Sequence, residues 1–326
     1  MSDILIVGAG AVGQVFGYYL SKGGQNVTYF VKEKYLSTVR ERFLLHRVFS
    51  RKKIETYEWS SFEVLSALSE LSNRSWKQIW VCISSDALSS EFTREVLSAL
   101  PPRSSVFGFQ PGPFDRERLT ELCPQCTVSM GTINFSSTAS PIVEIQKRRG
   151  GLVFFIPSYI PILFEGERSV TDTAVHFLSA GGMKAKSKPG AWEEMVSFGP
   201  LLISFVAGLE LAGWKFQSFL KDSELAKLTA RAAEQGSIAV KDYFNPSSST
   251  LSIKFLTTSF VYNLIWKFFR KMMPFDFEEF FRVHFSKLYN QTDVLLETYS
   301  RIAAEANLKV DAIDELRERL SHNRKR

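Results

Sequence analysis

One hexapeptide near the amino end limits what this chain can fold into more than any other feature. Gly8-Ala9-Gly10-Ala11-Val12-Gly13 is a G-x-G-x-x-G turn. It follows the apolar run Ile4-Leu5-Ile6-Val7, which reads as a buried parallel strand. It leads into a helix over Gln14–Ser21, which Gly23-Gly24 stops, and then into a second strand, Asn26–Val31. This strand–turn–helix–strand setting separates a phosphate-cradling turn from a chance run of glycines. Gly8 suits the tight turn, Gly10 lets the backbone approach a pyrophosphate, and Gly13 lets helix and strand pack closely. The first helical turn offers N–H groups and a partial positive charge to the phosphates. Gly8, Gly10, Ala11, Val12 and Gly13 are therefore the candidate dinucleotide-binding residues.

The end of the second strand selects the dinucleotide. An acid closing it would hold the ribose 2′-hydroxyl of NAD, whereas a basic residue suits the 2′-phosphate of NADP. Here Lys32 follows Tyr29-Phe30-Val31, with Lys34 and Arg40 beyond it. The expectation is NADP(H), with Lys32 on the 2′-phosphate. Glu33, about twenty residues past the glycines, keeps NAD as the weaker choice. FAD, which uses the same glycines, would want an acid closing the strand.

Further strands are expected at Gln78–Ile83, Ser105–Phe109 and Thr127–Phe135, with helices between. An antiparallel-looking pair, Ile142–Gln146 and Leu152–Ile156, precedes a helix over Val170–Ala180 and a strand at Met183–Lys186. Alternation of this kind predicts an α/β Rossmann (doubly wound) sheet with its ligand at the carboxyl ends of the strands. The pattern changes at Lys188-Pro189-Gly190. Residues 1–188 are read as the dinucleotide-binding domain and 189–326 as a helical substrate and dimerisation domain. In the latter, Asp222 or Ser223 can cap a helix carrying Leu225, Leu228 and Ala232 on one face. Asn245-Pro246 and the Ser/Thr run after it read as a loop. Phe281, Leu288, Leu295 and Ile302 recur every seven residues, which predicts one long helix over Phe277–Ala304.

Composition narrows the function classes. With 45% apolar and 23% charged residues the chain is an ordinary globular protein of two domains. No uncharged stretch reaches the ~18 residues a membrane span needs. Asp3 interrupts anything like a signal peptide, and three cysteines are too few for a disulfide scaffold, so a reducing cytoplasm is expected. Of the net charge of +6, residues 1–188 carry 22 Lys+Arg against 17 Asp+Glu (+5), and the rest 18 against 17 (+1). The dense clusters Arg51-Lys52-Lys53, Lys147-Arg148-Arg149 and Arg324-Lys325-Arg326 lack a nucleic-acid motif and read as solvated loops and a frayed terminus. The expected partner is a small molecule, with no nucleic acid and no stable membrane insertion; a homodimer is the assembly considered. Cys123-Pro124-Gln125-Cys126 lacks two further ligands for a metal and reads as a pair of unpaired thiols. The four histidines are scattered, and His284 reads as packed. Trp266–Phe285, with seven phenylalanines, is read as core or pocket lining rather than a membrane-surface helix.

Taken in order along nearly the whole chain, these features resemble the ketopantoate reductase (2-dehydropantoate 2-reductase) family. Besides the glycine turn and the basic residue after the second strand, Gln110-Pro111-Gly112 stands at the family's Gln-Asn-Gly-like turn. Trp192-Glu193-Glu194 stands at its Trp-x-Lys helix, and Gln291-Thr292-Asp293 at its Glu-x-Asp. The resemblance implies a Rossmann domain followed by an all-α domain of the ketopantoate reductase/6-phosphogluconate dehydrogenase-like type. It also implies NADPH as cofactor, with Gln110 beside it. It places Glu194 at the family's catalytic lysine, Pro111 at its asparagine, Gln291 at its substrate-side carboxylate, and Phe198 and Leu202 at two further asparagines. A ketoacid carboxylate would meet Glu194 as a like charge.

The expected function is an NADP-dependent oxidoreductase on an apolar carbonyl or hydroxy substrate, not an efficient ketopantoate reductase. Glu194 and Gln291 are the candidate catalytic residues. Glu194 is in line with the apolar row Phe198, Leu201 and Phe205, which would raise its pKa; alternatively it is a solvated first-turn acid. Gln291, three residues after Leu288 and four before Leu295, is expected to face inward. A non-catalytic NADP(H)-binding or redox-sensing protein is the alternative.

Overall fold

The computed structural model describes residues 3–245, 249–287 and 289–325. The chain divides into two compact units, residues 1–192 and 193–326.

The first unit opens with β1 (Asp3–Val7), α1 (Ala11–Lys22), β2 (Asn26–Phe30), α2 (Leu36–Arg40), β3 (Phe43–Ser50), β4 (Lys53–Trp59) and β5 (Glu63–Leu65). It continues through α3 (Leu68–Ser72), β6 (Gln78–Val81), α4 (Glu91–Ser98), β7 (Ser105–Gly108), α5 (Asp115–Leu122) and β8 (Thr127–Gly131). The last elements are β9 (Ser136–Thr138), α6 (Glu144–Arg149), β10 (Leu152–Phe155), β11 (Ile162–Glu165), α7 (Arg168–Ala180) and β12 (Ala185–Ser187). Eight strands form one sheet in the order β12-β11-β8-β7-β6-β1-β2-β5, parallel except where β11 meets β8. Chain order reverses beside β1, so the carboxyl ends of β1 and β6 border the crevice where a doubly wound sheet takes its ligand. Ile4, Leu5, Ile6 and Val7 are buried, which is why their run is continuously apolar. Phe16 packs α1 onto the sheet against Trp80, Phe109 and Phe135, with ring centroids 4.6–5.1 Å away.

Two expectations fail in this unit. The segment after α2 is an antiparallel hairpin, β3–β4, within a second sheet of order β4-β3-β10-β9. Arg51 and Lys52 of the basic cluster form its turn, and Lys53 opens β4. Ile142–Gln146, expected as a strand, instead leads into α6. The buried Gln146 side chain accepts from Ile142 N–H and donates to the carbonyls of Thr138 and Gly151, which satisfies the local backbone without a strand partner. β10 pairs instead with β3 and β9.

Among the described residues the second unit is helical throughout. Its elements are α8 (Ala191–Leu211, whose first two residues belong to the first unit), α9 (Phe216–Lys221), α10 (Ser223–Phe244), α11 (Leu251–Leu256), α12 (Ser259–Met272), α13 (Phe277–Phe285), α14 (Tyr289–Glu305) and α15 (Asp311–Arg324). By length and composition α8 could cross a membrane, yet most of its apolar stretch is buried inside the structure and it carries Glu193, Glu194 and Glu210. Phe205, in its middle, is fully buried and stacks on Trp266 with centroids 3.8 Å apart. Asp222 caps α10 by accepting the Leu225 N–H at 3.0 Å, and Leu225, Leu228 and Ala232 are buried. Residues 246–248 of the expected loop lie outside the described residues.

The single long helix expected over Phe277–Ala304 is two helices. A period of seven runs across a short break without registering it, and Leu288 lies outside the described residues. Nor is the basic tail simply frayed: Arg324 bonds the buried Glu210 carboxylate at 2.5 and 2.8 Å and the Asp293 carboxylate at 2.6 and 2.7 Å. Arg326 lies outside the described residues.

Candidate functional site

The glycine turn caps the carboxyl end of β1. Gly8 has φ +102°, a conformation that L side chains rarely adopt. A Cβ there would also lie 2.8 Å from the Ile83 side chain and 2.9 Å from the Cys82 carbonyl oxygen. Gly8 N–H donates to Phe30 O at 3.1 Å, tying the turn to the end of β2. A Cβ on Gly13 would sit 2.1 Å from the Gly8 carbonyl oxygen, so the third glycine is required by packing. Tyr29, buried in β2, donates its hydroxyl to Gly13 O at 2.9 Å and fills the space beside Gly17. Gly17 is thus a fourth packing glycine, unrecognised in the motif because its partner is a side chain 12 residues on. Gly10 differs from all of these: a Cβ there meets nothing within 4 Å. It is the N-cap of α1, whose first turn carries no acid. Ala11, Val12 and Gly13 follow, and helix geometry leaves their N–H groups without intrahelical acceptors.

Past β2 the chain makes a one-turn 3₁₀ helix, Glu33–Tyr35, for which Lys32 is the N-cap. Lys32, Glu33, Lys34 and Tyr35 are all exposed. The Lys32 ammonium lies over the Phe92 ring of α4 at 5.0 Å, and Phe92 stacks on Phe30 at the end of β2. Both lysines are therefore presented on the surface beside the strand that borders the glycine turn.

The loops after β6 and β7 are knitted together by residues that motif reading largely missed. Gln110 is fully buried: its amide nitrogen donates to Val81 O at 2.9 Å and Ile83 O at 2.8 Å, and its side-chain oxygen accepts from Phe109 N–H at 2.9 Å. This side chain, expected beside the cofactor, is held by three backbone groups at the strand ends and braces the two loops there. Trp192 donates its indole N–H to Gln110 O at 3.1 Å and its backbone N–H to Glu165 at 2.9 Å. Glu165 also pairs with Arg116, whose guanidinium lies 4.6 Å from the Trp192 ring centroid. Asp115 accepts from Gly112 N–H at 2.5 Å and from the Ser85 hydroxyl at 2.8 Å, bridging the two loops. Burial pushes its carboxyl up to about 6, against the pull of those two bonds. An acid three residues after a loop glycine, opening a helix, was the available signal.

The two candidate catalytic positions are not buried. Glu194 is exposed in the first turn of α8, while Phe198 and Leu201 are half-buried and Phe205 fully so; the row passes from surface to core along its length. Gln291 is half-buried in the first turn of α14, and the inward residue there is Thr292. The isolated side chains prove structural. His46 is buried between the Thr56 hydroxyl and Gly150 O, both at 2.9 Å, and His284 stacks on Phe280. Cys123 is buried, with its thiol on Leu119 O. A cavity of about 350 Å³ lies at the amino ends of β1 and β2, opposite the glycine turn, where Arg74 is already paired with Glu63. The carboxyl-end crevice is the better site, because that is where the sheet's topology and the open glycine converge.

Comparison with known proteins agrees with this geometry. Residues 4–155 match the family model described as Ketopantoate reductase PanE/ApbA. Curated protein sequences give no match. Among solved structures, the chain is similar to a PanE/ApbA family ketopantoate reductase from Ralstonia eutropha JMP134, with 13% identity, TM-score 0.74 and 98% of each chain covered. It is similar to a D-mandelate dehydrogenase solved with NADH and anilino(oxo)acetate, with 15% identity, TM-score 0.69, and 98% of this chain and 97% of that one covered. It is also similar to a dimeric ketopantoate reductase from Staphylococcus aureus, with 11% identity, TM-score 0.63, and 98% and 99% covered. Residues 4–155 thus match the ketopantoate reductase family model, and the chain as a whole has the fold of the solved ketopantoate reductases.

Proposed function

We propose that this chain is an NADP(H)-dependent oxidoreductase acting on a small, apolar carbonyl or hydroxy compound. The observation that carries the reading is the contrast within the glycine turn. Gly8 and Gly13 are closed in by backbone, whereas Gly10 opens onto free space above a helix N-terminus. A pyrophosphate fits that cradle, which offers N–H donors and no acid. When bound, the nicotinamide supplies or accepts the hydride. Ala11, Val12 and Gly13 would donate to the phosphates, and Lys32, with Lys34 beside it, would meet the 2′-phosphate. Gln110 and the Asp115–Ser85–Gly112 bridge hold the two loops that flank the crevice. Glu194 is proposed to donate the proton to the carbonyl oxygen, and Gln291 to orient the substrate through its amide. A homodimer in the cytoplasm completes the reading.

Exposure of Glu194 and engagement of the Gln110 side chain favour a second reading, a protein that binds NADP(H) without catalysis. Screening apolar ketones and aldehydes for NADPH oxidation separates the two. A hit should lose about 10²–10⁴ in rate with Glu194→Gln. A hit unaffected by that substitution leaves Glu194 a helix-start acid, and a broad panel without turnover, NADPH still binding, establishes the second reading. Ketopantoate itself should turn over far below about 1 s⁻¹, the slow end of ordinary enzymes.

A further inference from the structure

Helix α12 is apolar on two sides. Its inner side buries Tyr262 and Trp266. Its outer side shows Phe260, Leu264 and Phe268 at 79%, 52% and 64% exposure, spaced four residues apart on one face. Leu251 and Phe255 of α11, also four apart, are 76% and 64% exposed. Trp266–Phe285 was expected to be core or pocket lining; α12 meets that with one face only. Large rings spaced along an exposed helical stripe mark a surface made to be covered.

The charges around the stripe identify what covers it. From Tyr243 to Phe275 the sequence contains no Asp or Glu, yet it holds Lys254, Lys267, Arg270 and Lys271. Lys254, Lys267 and Lys271 are exposed, and at seven and eleven residues past Phe260 the latter two share its face. A second copy fits this poorly. A two-fold interface lays the patch on itself, setting lysine against lysine with no acid in the segment to neutralise either. An anionic lipid surface satisfies both features, taking the rings into the headgroup boundary and pairing the ammonium groups with headgroup charge.

We infer that α11 and α12 form a docking face for an anionic lipid surface, engaged from one side without crossing it. The full chain should co-sediment with phosphatidylcholine vesicles containing about 30 mol % phosphatidylserine, which carry the anionic surface charge. Pure phosphatidylcholine vesicles and raised salt should release it. Each cation at such a surface contributes about a five-fold factor, so Lys267→Gln with Lys271→Gln should weaken binding about 25-fold. Phe260→Ser with Phe268→Ser should abolish binding; both rings are exposed, and an unchanged circular dichroism melt verifies the fold. Failure to sediment with phosphatidylserine vesicles overturns the inference. So does a dimer, seen by light scattering, that the two serine substitutions dissociate.

Discussion

Replacing Gly10 and Gly13 by alanine, one at a time, should separate ligand binding from folding. Gly10 has φ −73° and ψ −172°, backbone that any residue adopts, and a Cβ there meets nothing. Alanine at an N-cap is worse than glycine by about 0.5–1 kcal/mol. It recovers about 0.4–1 kcal/mol by restricting the unfolded chain. Unfolding free energy should therefore stay within about 0.5 kcal/mol of the parent. The new methyl nevertheless stands where a pyrophosphate must approach. Losing one charge-assisted N–H···phosphate bond of about 1.5–3 kcal/mol lowers NADPH affinity about 10- to 150-fold. Gly13→Ala places its Cβ 2.1 Å from a backbone oxygen that no rotamer change can move. It should destabilise by about 1–3 kcal/mol, as overpacking does, and disturb the Tyr29 contact. Urea denaturation followed by tryptophan fluorescence, with NADPH titration by nicotinamide fluorescence, measures both quantities. A Gly10→Ala protein that binds NADPH like the parent refutes the reasoning.

Two further predictions concern stability. Arg324→Met strands the buried Glu210 carboxylate and should lower unfolding free energy by about 3 kcal/mol in urea; Arg324→Met combined with Glu210→Met should recover most of it, and an equal loss in both variants would contradict the pairing. Asp115 titrates near 6 in the folded chain against 3.8 when unexposed to the fold, so the folded state holds more proton between those values. Stability should therefore fall by up to about 3 kcal/mol as pH rises from about 4 to 6, and Asp115→Asn, whose side chain does not titrate, should flatten that slope.

How much of this was legible in the sequence depended on how local the signal was. The glycine turn, its strand and its helix are one continuous segment whose spacing is set by backbone geometry, and the structure carries them within a few residues of where they read. The Asp222 cap and the buried face of α10 were readable for the same reason. The β3–β4 hairpin pairs locally, but the sheet it belongs to is completed by β10, about 100 residues further on, which the segment itself does not announce. Gln146 misled the strand reading of its segment: it is a polar side chain that the fold buries against its own backbone. Arg324 looked like solvent-exposed tail charge because its partner, Glu210, lies 114 residues earlier. Glu194 was legible as two alternatives, a carboxylate raised by an apolar row or a solvated first-turn acid; it is exposed in the first turn, because a row runs along a helix axis and its first member stands at the exposed end.

The glycine cradle and the lysines after β2 are proposed to bind NADP(H) together. Side-by-side titration of the purified chain with NADPH and with NADH, followed by the rise in nicotinamide fluorescence, decides it. NADPH should bind the more tightly. Lys32→Glu should remove one charge-assisted contact, about 1.5–3 kcal/mol or 10- to 150-fold, from NADPH while leaving NADH nearly unchanged. Equal affinities for the two nucleotides, or no binding of either, would contradict the claim.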